Sequence, residues 1–513
     1  MELELKKNCF EAFEVGTELI VTQEESAETI VPDYCPDIAR IIDTEGKIFL
    51  HSRELHDGKA EVSGTVRVTV LYTPDEESGI RTLEFAMPFS ALSDGKAWED
   101  CVCLSVQTEA EFLETRVLNP RKVFTHCKLV SRFTGYRRAP LTICSDVESD
   151  AALCVEKKQE TQHTTLITQI AEKDFTFSDE MSISPGKDGA VEILTSRVSA
   201  EVTETKIIGN KLIVKGIFPV NVLYRTADGA CCSSGGELPF SQILEVEGAS
   251  ENAQVSVQLQ FTGTDFQVGS AADREGRQIT VTLYLHAFSI LRQEQTVTLL
   301  NDLYSTAYEL GYEAEPVSLI HDHDVVVRRQ TVREVLEIGV VADSVLDANV
   351  CCGSVSVTRE GESFVLRTGA SIRVLYLDEG GVPLMAERCV DVSCQMEAGE
   401  DCRVSAKAAC PDEVQASIGE RGIEVRFPVE FQAQVSSRKK CVSISSVRLL
   451  SETPRDMSGL PSLVLRSLSG QETLWMLAKR FHTTVPSILA ANGWTEETEV
   501  PRDQMLLIPK KRI

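Results

Sequence analysis

The stretch that decides the fold is Val68-Thr69-Val70-Leu71-Tyr72, which the chain carries in three versions. It returns as Val220-Asn221-Val222-Leu223-Tyr224 and again as Ile372-Arg373-Val374-Leu375-Tyr376, so the tyrosines are 152 residues apart both times. A single match of this kind has little weight, but three at equal spacing indicate a repeat. The period is the size of a domain and far exceeds the roughly 20–50 residues of a solenoid unit. We therefore expect three related domains.

Each copy lies in a segment whose apolar and polar residues alternate. Val62, Val66, Val68 and Val70 alternate with polar neighbours, which places the apolar set on one face of a strand. Turn sequences such as Asp57-Gly58 separate segments of this type. The pattern predicts a mainly β fold of three tandem antiparallel β-sandwich-like domains, at residues 1–150, 151–320 and 321–450.

The flanks of the first two copies correspond closely, and those of the third depart from them. Gly64 and Gly216 occupy equivalent positions, and Met87-Pro88-Phe89-Ser90 corresponds to Leu238-Pro239-Phe240-Ser241. The third copy has Thr368 in place of the glycine and reads Arg388-Cys389-Val390-Asp391 further on.

Two short segments of the body suggest other structures. Pro36 to Ile42 predicts a short helix with proline in its first turn. His321-Asp322-His323-Asp324 has the side chains of a metal site, but no third ligand stands at a defined spacing, which favours a polar linker between repeats. The chain has no G-x-S-x-G, Walker, H-E-x-x-H or dinucleotide-binding pattern. We expect no catalytic residue, no metal and no cofactor.

The charge of the chain limits its partners. A formal charge of −27 argues against nucleic acid and anionic membrane surfaces. No apolar run approaches the length of a spanning helix, and the N-terminal residues lack the apolar core of a secretory signal. We expect the protein to stay in the compartment where it is made. The sixteen cysteines form no paired C-x-x-C motif, which predicts free, mostly buried thiols, with late cross-linking as the alternative.

The last fifty residues have a different pattern. Residues 451–460, rich in Ser, Pro and Gly, read as a linker, and a separate domain follows at 461–513. A short strand at Leu463–Leu468 precedes a helix capped by Thr473, and Asn492-Gly493 ends a second helix before a closing strand at Met505–Pro509. Residues 463–513 carry seven Lys/Arg and five Asp/Glu, a net charge of +2, so the residues before them sum to −29.

This β-α-α-β module resembles a LysM domain. The resemblance lies in Glu472-Thr473-Leu474-Trp475, in Ala478-Lys479-Arg480-Phe481, in Asn492-Gly493 and in the closing Leu-x-Ile-Pro. Two departures, Gln471 and Arg502-Asp503-Gln504, fall where the family usually has Gly and Pro-Gly-Gln. Both loops border the groove that holds N-acetylglucosamine polymers in the family, which argues against sugar binding. The resemblance implies a set of partner-binding residues: Gln471, Glu472, Thr473, Trp475, Lys479, Asn492 and Trp494.

Several of these residues have a plainer interpretation. Trp475 is the strongest candidate for partner contact because Trp is favoured at binding hot spots, but it could equally pack on the core of the module. Trp494 contacts a partner or packs its own loop. Lys479 and Arg480 steer an acidic partner or form a solvated helix face.

The whole architecture resembles the SipL family of spore-coat morphogenetic proteins. The resemblance rests on the tandem V-x-V-L-Y strands, on the segment from Pro32 to Ile38 and on the terminal LysM pattern. It implies a non-enzymatic assembly protein in the mother-cell cytoplasm, collected at the forespore surface. Its partner would be a coat-basement ATPase of the SpoIVA type, bound through the LysM domain, with other coat proteins and self-association as further partners. The alternative is a cell-wall protein or hydrolase that binds peptidoglycan.

Overall fold

The mainly β prediction is confirmed by a computed structural model of the chain, in which strands account for 75% of residues and helices for 4%. The structure describes residues 3–75, 78–269, 275–397, 399, 401–411, 414–456, 459, 461–467, 472–495 and 505–510, with only the backbone at 322. Within these ranges, neither α-helix has the length and apolar character needed to span a membrane.

The strands fall into three sets, followed by a terminal module. The first set is β1 (Leu3–Phe10), β2 (Phe13–Ile30), β3 (Ile38–His56), β4 (Lys59–Pro74), β5 (Arg81–Asp94), β6 (Cys101–Asn119), β7 (Lys122–Arg138) and β8 (Leu141–Ser149). The second set is β9 (Val155–Ser182), β10 (Glu192–Val198), β11 (Glu201–Ile208), β12 (Lys211–Arg225), β13 (Cys231–Glu245), β14 (Gln254–Val268) and β15 (Gln278–Ser305). The third set is β16 (Leu310–Leu336), β17 (Ala342–Cys352), β18 (Ser356–Glu360), β19 (Ser363–Asp378), β20 (Pro383–Glu397), β21 (Cys402–Ala409), β22 (Gln415–Gly419) and β23 (Gly422–Leu449). The terminal module is β24 (Leu463–Ser467), α1 (Leu474–Phe481), α2 (Val485–Ala491) and β25 (Met505–Pro509), and two 3₁₀ turns lie at Lys96–Trp98 and Ala151–Leu153.

Each repeat packs two antiparallel sheets face to face. In the first repeat, β3, β4 and β5 form one sheet, and β2, β7 and β6 form the other. The same arrangement recurs with β12 and with β19 as central strands, where the long β3 is replaced by two shorter strands on one edge. A separate hydrophobic core fills each sandwich. The three domains therefore share one fold.

The repeated pentapeptide is buried on both of its faces. Val68, Val70 and Tyr72 belong to the core of the first sandwich, as the expected alternation requires. Leu71 points to the opposite face and is also buried, since that face is covered by the other two repeats. The motif thus combines an ordinary core strand with one residue that joins domains.

A β-bulge recurs opposite this leucine in all three repeats. The pairing register shifts between residues 41 and 43, between 193 and 195, and between 345 and 347. The skipped residues, Ile42, Leu194 and Leu346, meet the three leucines in a single apolar cluster, whose buried members are Leu71, Ile80, Leu194, Leu223 and Leu375. Because equivalent residues of three repeats meet there, the repeats surround a common axis.

Contacts between strands close the three repeats into a ring. β5 contacts β10, β13 contacts β17, and β20 contacts β3, so each repeat meets both others in an equivalent way. Arg197 lies at the centre of this arrangement, because its guanidinium pairs with Glu45 of the first repeat at 2.8 Å and with Asp347 of the third. Arg373 of the third repeat pairs with Asp43 of the first. These ion pairs surround the apolar cluster and join all three domains.

The departures of the third repeat have one structural explanation. Gly64 pairs with Phe89, and a Cβ at residue 64 would lie 2.7 Å from that ring; Gly216 pairs with Phe240 in the same way. In the third repeat Thr368 stands opposite Val392, which leaves room for a side chain. A Cβ at these glycines would also meet a backbone carbonyl oxygen, that of Phe49 at 2.5 Å or that of Glu201 at 2.0 Å. The third repeat has replaced both the glycine and the phenylalanine.

Two-stranded ribbons extend beyond the sandwiches and pack on one another. One ribbon is the β1–β8 pair, and the others are the outer halves of β9–β15 and of β16–β23. Two further apolar clusters lie between them, one around Leu299 and Leu319 and one around Val147 and Leu303. The sheets of the first two repeats also touch at their edges, through Phe13 and Ile167.

Some sequence predictions about the body are wrong. Pro36 to Ile42 forms no helix, because a turn closed by the Cys35 N–H and the Pro32 carbonyl oxygen leads directly into β3. The His321–Asp324 segment is not a linker but part of β16, which begins at Leu310 and pairs with β23 on both sides of the division at 320/321. All sixteen cysteines are free as expected, but only four are buried.

Candidate partner-binding module

The terminal module has the order predicted from its sequence, with β24 antiparallel to β25 and the two helices between them. Thr473 and Thr484 cap the helices, accepting hydrogen bonds from the backbone N–H groups of Met476 at 3.3 Å and Ser487 at 3.2 Å. The caps satisfy backbone donors at helix N-termini that have no partner within the helix. The core of the module is Leu477, Ala478, Ile488, Leu506 and Ile508.

Three of the predicted partner-binding residues maintain the fold of the module. The Asn492 amide donates to the carbonyl oxygens of Ile488 and Leu507 and accepts from the Leu507 N–H, which joins the end of α2 to β25. Glu472 accepts two hydrogen bonds from the guanidinium of Arg466, at 2.9 and 3.0 Å. Thr473 is the cap of α1. These side chains hold the module together through bonds within it.

The remaining predicted residues differ in position. Trp494 packs against the module core and is partly buried. Gln471 lies outside the described residues, as does the Arg502-Asp503-Gln504 loop. Arg480 is exposed on α1, 3.7 Å from Glu472.

Trp475 and Lys479 converge on one carboxylate of the second repeat. The Trp475 indole N–H donates to Asp302 Oδ2 at 2.7 Å, and Lys479 Nζ lies 2.5 Å from Asp302 Oδ1. Lys479 also donates to the Tyr312 hydroxyl at 2.9 Å, and that hydroxyl donates to Asp302 at 2.8 Å. The two residues that were the best candidates for an external partner therefore bind the body of the same chain.

The electrostatics of this contact favour its charged form. Burial alone would raise the pKa of Asp302, but hydrogen bonds from Lys479, Trp475 and Tyr312 outweigh it and lower that pKa. Burial would lower the pKa of Lys479, and the bonds to Asp302 and Tyr312 instead raise it. At neutral pH the pair is therefore ionised and hydrogen-bonded, the stronger kind of polar contact.

A buried tyrosine completes the docking surface. Tyr304 belongs to the core cluster of the module, its ring meets Trp475 edge to face at 5.0 Å between centroids, and its hydroxyl donates to the Thr483 carbonyl oxygen at 2.7 Å. Arg455 of the connecting segment donates to the Tyr308 carbonyl oxygen and to His482 Nε2. We call the surface formed by Asp302, Tyr304 and Tyr312 the receptor surface.

Sequence reasoning missed the receptor surface. Its three residues lie at the end of β15 and the start of β16, where neither periodicity nor a motif marks them. The one available signal was the contrast between an acidic body and a basic tail. That contrast indicates that the tail is attracted to the body, but it does not identify the residues in contact.

The described side chains around His321 and His323 form no metal site. No group of three or more His, Cys, Asp and Glu side chains lies together in the described parts of the chain. His323 instead lines a small cavity of about 190 Å³ with Arg292 and Ser256. Burial, with a further contribution from Arg292, lowers the pKa of His323 to about 4, so this side chain is neutral at pH 7.

These features define a class: a framework of tandem β-sandwiches closed around a common axis, with a small α+β module seated on the second repeat. Residues 37–128 and 190–268 match the SPOCS domain of the SipL family. The first two repeats therefore carry the SPOCS domain of the SipL family, which confirms the resemblance to this family inferred from the sequence. The resemblance of the terminal module to a LysM domain stays a prediction. The two matched segments cover β3 to the middle of β7 and β10 to β14, in the first and second repeats. No curated protein is similar enough to match.

Family membership fits a role in sporulation. The third repeat and the terminal module lie outside the matched segments. The third repeat shares the pairing register of the other two, since Asp43, Thr195 and Asp347 each stand opposite the leucine of the motif.

Proposed function

We propose that the chain is a non-enzymatic assembly protein of the spore coat, which acts at the forespore surface in the mother-cell cytoplasm. Its three β domains are the framework, and its terminal module is a LysM domain that docks on a coat-basement ATPase of the SpoIVA type. The observation that carries this proposal is the match of two repeats to the SPOCS domain of the SipL family.

The architecture supports a framework role for the body. Ion pairs such as Arg197 with Glu45 and Asp347 hold the repeats in one arrangement, and each sandwich is filled by its own core. A rigid body of this type presents an attached module at a fixed place. The module differs from the body in the sign of its charge, which suits it to contact acidic protein surfaces.

The experiment compares capture of the SpoIVA-type ATPase and of peptidoglycan by the full chain. We expect the ATPase to be retained and peptidoglycan not. Robust binding to peptidoglycan alone would replace the proposal with the alternative of a cell-wall protein.

Two variants then separate direct contact from docking. If Trp475 touches the partner, Trp475→Ala weakens capture about tenfold or more, whereas Asp302→Asn, which frees the module, leaves capture unchanged or raises it. If the two variants lose capture equally, Trp475 acts only by seating the module on the body. Circular dichroism of both variants checks that the module remains folded.

A further inference from the structure

The contact between module and body has the features of a separable interface. Among the described residues, the body contributes Tyr304 to the core cluster of the module, and the other buried members come from the helices and strands of the module itself: Leu477, Ala478, Ile488, Leu506 and Ile508. The caps at Thr473 and Thr484 and the Asn492 bonds are also internal. The module can leave the receptor surface without losing the contacts that fold it.

The two surfaces are complementary in charge and in hydrogen bonding. The module presents Lys479 and the indole N–H of Trp475, and the body presents Asp302 together with the rings of Tyr304 and Tyr312. Lys479 Nζ lies 4.8 Å from the centre of the Tyr312 ring, a cation–π distance. Residues 463–513 carry a net charge of +2, and the residues before them carry −29. The module of one copy is therefore complementary in charge to the body of another.

The connection between the two parts is a short segment. Arg455 is held on the body by its backbone N–H, which donates to the Ala307 carbonyl oxygen, and β24 begins at Leu463. A segment of about eight residues can span at most roughly 28 Å. The sequence between them contains Gly459 and Pro461, residues typical of connections rather than of regular structure.

We propose that the module of one copy docks on the receptor surface of a second copy, so that this chain self-associates by module exchange. The contact is the one seen within the chain, Trp475 and Lys479 on Asp302, and no new surface is needed. Exchange of an identical element between copies is a low-cost route to assembly. In dilute solution docking within the chain dominates, because the tether gives an effective concentration of the order of millimolar. Exchange prevails where copies are crowded together. This inference does not depend on the identity of the coat partner.

The test uses two full-length variants, each unable to dock its own module. Asp302→Lys reverses the receptor surface and leaves the module intact. Lys479→Asp reverses the module and leaves the receptor surface intact. Each variant alone should sediment as a monomer of 56.5 kDa. In an equimolar mixture, the intact module of the first variant meets the intact receptor surface of the second, and a dimer of twice that mass should form, at least tenfold more abundant than in either variant alone.

A matched control reverses the neighbouring charge. Arg480→Asp changes a residue of the same helix that pairs with Glu472 and not with the body. This variant keeps its own receptor surface occupied, so its mixture with Asp302→Lys should remain monomeric. Absence of a dimer in the first mixture, at concentrations of tens of micromolar, overturns the proposal. Dimers in either variant alone, or an equal amount of dimer in the control mixture, also overturn it. Melting curves of each variant close to that of the parent show that the body is folded.

Discussion

Removing Arg197 should loosen the contact between the three repeats. Its guanidinium pairs with Glu45 and Asp347, whose side chains are only 14% and 9% exposed, and Thr195 also donates to Glu45 at 2.7 Å. Burial would lower the pKa of Arg197, but the two carboxylates outweigh it and raise that pKa, so the arginine is fully charged. Arg197→Leu removes the arginine that pairs with both of these largely buried carboxylates. Breaking a buried ion pair in this way costs about 3–5 kcal/mol.

Hydrogen exchange of peptides from β4, β12 and β19 measures this loss directly. Because about 1.4 kcal/mol corresponds to a factor of ten, exchange at the common axis should rise by roughly two to three and a half orders of magnitude at pH 7. The matched control is Arg225→Leu, whose partner Glu192 lies in the same repeat. Its effect should be no more than about 1 kcal/mol, as expected for a partly exposed pair. An Arg197→Leu variant with unchanged exchange at the axis would refute the reasoning, as would an equal loss in the Arg225→Leu control.

Three further predictions follow from the motif, its flanks and the docked module. Tyr72→Phe and Tyr224→Phe should each lower the free energy of unfolding in urea by about 1 kcal/mol, since their hydroxyls donate to the carbonyl oxygens of Pro36 and Asp188. Tyr376→Phe should have almost no effect, because the Tyr376 hydroxyl bonds to no described residue. Equal losses in all three variants would contradict this. Gly216→Thr should destabilise the second repeat by more than about 2 kcal/mol in the same assay, because a Cβ there would lie 2.0 Å from the Glu201 carbonyl oxygen. Thr368→Gly should cost about 1–2 kcal/mol, because it removes the hydrogen bond from the Thr368 hydroxyl to the Gly353 carbonyl oxygen and adds a flexible residue. A mild Gly216→Thr variant would contradict the packing argument. The lowered pKa of Asp302 implies that docking is complete above the ordinary pKa of an aspartate and is lost as the pH falls through the pKa of the folded state. The NMR resonance of the Trp475 indole N–H should report this loss. The same resonance in Asp302→Asn should show no such titration.

The fold of the three repeats could be predicted because a strand with one buried face shows a regular alternation of apolar and polar residues in its sequence. The valines of Val68-Thr69-Val70-Leu71-Tyr72 must face a core wherever the motif occurs, so three copies predicted three sandwiches. The order of the terminal module followed in the same way from helix caps at Thr473 and from Asn492-Gly493.

The closure of the repeats could not be predicted from the same signal. Residues 45, 197 and 349 are equivalent by position, yet they are Glu, Arg and Asn, because an ion pair between repeats needs unlike partners at like positions. A search for periodicity discards these differences. The leucine of the motif and the bulge residue opposite it join one apolar cluster only when the three repeats pack together.

The contact that the predicted site residues make with the body could not be predicted, for a related reason. Residue types on α1 indicated a binding face, and the structure places Trp475 and Lys479 on one carboxylate. The sequence offered no means of choosing Asp302 among the many acidic residues of the body. Long-range pairing of single residues leaves no local pattern.

The most direct test is to image the location of a fluorescent fusion of the protein in sporulating cells. The full chain is compared with a chain ending at residue 450 and with full-length Trp475→Ala. We predict a ring of fluorescence around the forespore for the full chain and a signal spread through the mother cell for the shortened chain. An identical ring in the absence of the terminal module would contradict the claim that this module recruits the protein to its place.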